Sequence, residues 1–162
     1  MIDRLIENWL DKSTEKSFQI PFSYILSAEG YKVIHVTRHC AMEQGKDIIA
    51  ISPDGQPCAF QLKGTTNNKK IKLKQWQNEL LGQCLQLITT PIAHPSIKSK
   101  EHHISYLVTN GEIEEEVFNS IYLFNKEYEE KGLPQYMLNT MVKGEIINKI
   151  KKYKEQFLPI EI

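Results

Sequence analysis

Residues 46–63 constrain this chain more than any other stretch: KDIIAIS, then PDG, then QPCAFQLK. Two apolar, partly β-branched runs flank a three-residue loop, with glycine where such a loop needs a left-handed residue, and that pattern predicts a β-hairpin. Neither run alternates apolar with polar residues, so both faces of the hairpin must be covered, which calls for a layered α/β protein. At 162 residues the chain is long enough for one such domain, 1–162. Cys40, Cys58 and Cys84 form no CxxC pair and are odd in number, so neither a disulfide framework nor a zinc ribbon is indicated; Cys58 and Cys84 read as small buried hydrophobes. No run reaches the ~18 apolar residues of a membrane span. The opening MIDRLIENWLDKS lacks the apolar stretch of a signal peptide, so the expected location is cytoplasmic, with no membrane partner.

Apolar periodicity predicts a helix over 2–11 and a second ending at Gly30, with Pro21 either starting it or bending it. A strand over 31–36, the hairpin, a polar loop over 64–70 and a long helix over 73–88 follow. Residues 103–109 (HISYLVT) read as another buried strand, and Asn110-Gly111 as a turn into an acid-started helix. A short strand near 135–139 and an amphipathic helix over 144–158 complete the pattern. Antiparallel hairpin strands followed by β-α-β crossovers imply a mixed sheet of four to five strands flanked by helices.

The 20 basic residues balance the 20 acidic ones, but they are segregated along the chain. Residues 61–104 hold seven basic and two acidic groups (net +5), and residues 105–142 hold two and seven (net −5). Segregated fields steer ligands even when the net charge is zero. Lys69, Lys70, Lys72 and Lys74 lie just past the hairpin, where they either contact backbone phosphates of nucleic acid or simply solvate a helix. Lys149, Lys151, Lys152 and Lys154 read better as a solvated face. His35, His39, Cys40 and the pair His102-His103 have no metal-ligand spacing and read as structural or surface residues. No phosphate-binding glycine loop or nucleophile elbow is present.

A hairpin centred on Asp54 places Asp47 opposite Gln61, and strand alternation puts Gln61 and Lys63 on one face with Asp47. A carboxylate, an amide oxygen and an ammonium would then converge at one end of an apolar hairpin. Asp, an amide oxygen and a backbone carbonyl make a hard-oxygen set suited to Mg²⁺, and a nearby lysine can orient an attacking water or neutralise charge on phosphorus. The plainer alternative is a strand-end lysine snorkelling to water with Asp47 as its surface partner.

With Gly30-Tyr31, Gly45-Lys46-Asp47, Phe60–Lys63 and the later YLVTNG (106–111), the chain resembles the PD-(D/E)xK, restriction-endonuclease-like nucleases, in their Mrr-type branch with a Gln-x-Lys motif. The resemblance covers about 18–125, with 140–158 as a C-terminal helical extension. It implies a metal-dependent DNA endonuclease, with Mg²⁺ or Mn²⁺ as cofactor, Asp47 and Gln61 at the metal and Lys63 catalytic. Relatives often carry a Glu on the first helix where Gln19 stands here; Glu43, in preference to Glu29, would supply the missing charge. The resemblance further implies an effector in restriction or anti-phage defence, a homo-oligomer, and a sensor or ATPase region fused to it or activating it. A catalytically inactive nucleic-acid-binding or interaction module on the same fold is the alternative, and a ribonuclease the third.

Overall fold

The computed structural model describes residues 1–36, 46–65, 69–98 and 101–157. The hairpin forms in the expected register. β2 (Ile48–Ile51) and β3 (Pro57–Lys63) pair antiparallel, from Ile48 opposite Phe60 to Ile51 opposite Pro57. The Ser52 N–H donates to the Gln56 carbonyl at 2.8 Å and the Gly55 N–H to the Ser52 carbonyl at 2.9 Å. Gly55 adopts φ +83°, the left-handed conformation the loop requires, so no slip arises at the turn.

β1 (Lys32–Val36) joins β2 antiparallel, whereas β5 (Ile104–Thr109) and β7 (Leu138–Met141) extend the other side in parallel, giving the order β1-β2-β3-β5-β7. This is a mixed five-stranded sheet in an α/β fold. Helices cover both faces, because alternate residues of β3 look opposite ways. Cys58, Phe60 and Leu62 pack with α1 (Ile2–Lys12), α2 (Glu15–Ala28) and α6 (Lys143–Lys152). Ala59 and Ile49 pack with residues of the helical stretch 73–89 and of α5 (Glu115–Glu130). Among the described residues no helix is long and apolar enough to cross a membrane.

Four expectations need correction. The second helix does not start at Pro21, which lies inside it: α2 begins at Glu15, behind a reciprocal cap in which the Ser17 N–H donates to Thr14 Oγ1 (3.1 Å) and the Thr14 N–H to Ser17 Oγ (2.8 Å). Pro21 deprives the Ser17 carbonyl of its helical donor, and Ser17 is exposed, where water can replace it. The acid-started helix begins at Glu115, because Glu112–Ile113 first forms β6 and pairs with β4 (Lys70–Ile71). The long helix is not uniform: α3 (Leu73–Gln75) passes through a π-helical segment (Trp76–Leu80) into α4 (Leu81–Thr89). The last helix breaks at Tyr153 into α6 and α7 (Lys154–Phe157).

One buried asparagine ties these pieces together behind the hairpin. Asn110, 1% exposed, donates to the carbonyls of Leu10 (2.7 Å), Ser13 (3.0 Å) and Thr65 (3.1 Å) and accepts from the Thr65 N–H (2.8 Å). It anchors the segment after β3 to the end of α1.

Candidate active site

The carboxyl end of β3 meets the start of β2 beside the first turn of α2. The Asp47 N–H donates to the Phe60 carbonyl at 2.8 Å, although Phe60 is already the partner of Ile48. Two residues therefore face one, as in a β-bulge. The expected opposition of Asp47 and Gln61 is interrupted at this point. The Asp47 carboxylate instead accepts from the Leu62 N–H at 2.7 Å, at the residue between Gln61 and Lys63. Gln19 remains helical despite Pro21, and its Nε2 donates to the Asp47 carbonyl at 3.3 Å. At Gln19 this chain therefore has an amide that holds the backbone of Asp47.

Gln61 is 8% exposed, and among the described residues its Oε1 has no hydrogen-bond donor and its Nε2 reaches only the Leu62 carbonyl, at 3.4 Å. A buried acceptor without a donor costs about 1–3 kcal/mol unless something supplies the positive end. The Lys63 ammonium pairs with Glu79 Oε1 at 2.8 Å, with Lys63 19% and Glu79 48% exposed. No sequence pattern singles out Glu79, although it is the sole acidic residue between Gln61 and Lys100. Glu15 is a second residue that the sequence does not flag. Its carboxylate accepts from the Gly64 N–H at 3.4 Å, and a Cβ on Gly64 would lie 2.6 Å from the Glu15 nitrogen, so the backbones are in close contact. The signal for Glu15 is its position one helical turn before Gln19.

Glu29 is not brought to this site. Gly30, next to it, packs on Pro53 in the hairpin turn, at the far end of β2 from Asp47, and Glu29 pairs with Lys149 at 2.5 Å. Glu43 lies outside the described residues, as do His39 and Cys40. Among those described, no group of three or more His, Cys, Asp and Glu side chains is placed to hold a metal. The oxygens on offer are the Asp47 carboxylate, the Leu62 carbonyl and the donorless Gln61 Oε1, hard donors that fit Mg²⁺ or Mn²⁺ better than Zn²⁺. His103 is engaged elsewhere, its Nε2 2.7 Å from the Leu87 carbonyl.

The four lysines singled out above do come together. A cleft of about 610 Å³ opens from Gly64-Thr65, directly after Lys63, and Lys69, Lys70, Lys72 and Lys74 line it, with Glu79 on its wall. None of the four lysines is ion-paired among the described residues, and all are exposed. Their placement follows from local pairing. β4 is held to β6, the Glu114 carboxylate accepts from the Leu73 N–H at 3.3 Å, and Asn110 fixes Thr65. Gly111 permits the approach, since a Cβ there would overlap Thr65 Oγ1.

Comparison with protein-family models, with curated proteins and with solved structures finds no match. The chemistry is therefore read from geometry. A cationic cleft attracts polyanions, and this one is joined to the strand end through Gly64, next in the chain to Lys63, and through Glu79, the ion-pair partner of Lys63. The second lysine cluster is partly neutralised, Lys149 by Glu29 and Lys151 by Asp3 at 3.3 Å.

Proposed function

We propose that this chain is a metal-dependent DNA endonuclease with a restriction-endonuclease-like core. The observation that carries the reading is the lysine-lined cleft opening from the strand end that bears Lys63, Gln61 and the Asp47 contact. The mixed sheet with helices on both faces is the architecture implied by the resemblance to that nuclease superfamily. Lys69, Lys70, Lys72 and Lys74 would hold consecutive backbone phosphates and set the register of the strand over Lys63. The described lining has no aromatic side chain, and Trp76 is buried, so bases find no stacking surface; the cleft suits duplex backbone over splayed single strands and reads little sequence. Asp47, Gln61 Oε1 and the Leu62 carbonyl would hold Mg²⁺ or Mn²⁺, which when bound supplies Lewis-acid activation of water and neutralises charge on phosphorus. Lys63 would donate hydrogen bonds to the phosphoryl oxygens as their charge grows.

The test is cleavage of supercoiled plasmid by the purified protein with Mg²⁺ or Mn²⁺, alongside EDTA and the variants Asp47→Ala and Lys63→Ala. Metal-dependent nicking should fall by about 100-fold or more in Lys63→Ala, the usual worth of a positioned charge-stabilising group. Cleavage that survives both substitutions would sink this site. A binding module without cleavage is the second reading. It is favoured by the engagement of Lys63 with Glu79 and of Asp47 with the Leu62 N–H, and DNA binding without nicking at any metal would establish it.

A further inference from the structure

We infer that Glu79 is a positioning residue that parks the Lys63 ammonium in the free protein and yields it to a phosphate bound in the lysine cleft. The inference rests on the proposal that a nucleic-acid backbone occupies that cleft. Three observations carry it. Glu79 is the acidic member of the described cleft lining, yet its ion-pair partner is Lys63, at 2.8 Å, and none of the four cleft lysines is paired among the described residues. Glu79 is about half exposed, so its carboxylate can rotate into water at little cost, whereas Lys63 stands at the end of the buried strand β3. Glu79 also belongs to the π-helical segment Trp76–Leu80, a widened turn of the kind that recurs at functional sites.

A phosphodiester entering the cleft meets four ammonium groups that have no ion-pair partner among the described residues, on the same lining as Glu79, the partner of Lys63. Attraction to those lysines draws a negative charge up to Lys63, where it competes with Glu79 for the same donor. A single free phosphate lacks the neighbouring charges that hold it there. Lys63 is thereby presented to a polyanion long enough to span the cleft, and stays neutralised otherwise.

The experiment is nuclear magnetic resonance of the lysine side-chain nitrogens in the full chain, with Lys63 assigned by Lys63→Met. A short labelled DNA duplex is titrated in EDTA, and its binding is followed in parallel by fluorescence polarisation. The Lys63 Nζ resonance should move in Glu79→Gln without DNA, and should move in the wild type when the duplex saturates. Glu79→Gln should bind the duplex about fivefold more tightly, the worth of one unit charge at about 4 Å in a water-like medium. Its slope of log affinity against log salt should steepen by about 0.9. A duplex that binds while the Lys63 resonance stays put overturns the exchange and leaves the nuclease reading standing. A duplex that does not bind at all overturns both.

Discussion

Lys46 is 4% exposed and its ammonium has no hydrogen-bond partner among the described residues; burial pushes its pKa down to about 8 from 10.5. Between those values the unfolded chain holds a proton that the folded chain has released, and stability therefore rises with pH across that window. Lys46→Met should raise stability at pH 7 by up to about 3 kcal/mol and abolish that rise, as urea denaturation at pH 7 and pH 9.5 would show. His103 behaves alike at lower pH. Burial, reinforced by the nearby Lys46 charge, holds it below 6.5, so the folded protein loses stability as pH falls through 6.5 and the unfolded imidazole protonates. At this scale the sequence is only partly legible. Lys63 stands out because an ammonium ends a buried apolar strand, whereas Glu15 and Glu79 lie on helices whose approach to that strand no local pattern announces. The position of Asp47 follows from alternation until the bulge, a backbone event that leaves no mark on residue type.

Helix α2 shows how two local signals compete. Pro21 argues for a late start, and the Thr14/Ser17 cap argues for an early one; the cap prevails because Phe18 and Gln19, ahead of the proline, are buried in the interior. Pro21→Ala should restore the missing bond and stabilise the protein by about 1–3 kcal/mol, read as a higher denaturation midpoint, with Thr14→Ala costing about 1 kcal/mol in the opposite direction. The hairpin is legible because turn chemistry and continuous apolarity agree. The β4–β6 pair is not, since two residues per strand carry no periodicity, and yet that pair aligns the lysine cleft.

For the whole molecule, segregated charge becomes one cationic cleft. If its four lysines each neutralise a phosphate, the slope of log affinity against log salt should be about −3.6 on duplex DNA, flattening towards zero when all four are replaced by alanine. Those side chains are exposed, so the quadruple variant should keep its denaturation midpoint. Asn110→Ala should do the opposite, leaving the charges in place while orphaning backbone groups of Leu10, Ser13 and Thr65. A loss of at least about 3 kcal/mol in urea would register it. The bonds from Asn110 to Leu10 and Ser13 span 100 and 97 residues of chain. During synthesis α1 leaves the ribosome long before its clamp exists, roughly 5–20 s at ordinary elongation rates. Through that interval Ile6 and Leu10 can meet only the part of their core that residues 18–62 supply, without the clamp at residue 110 and without Ile146 and Ile150 of α6.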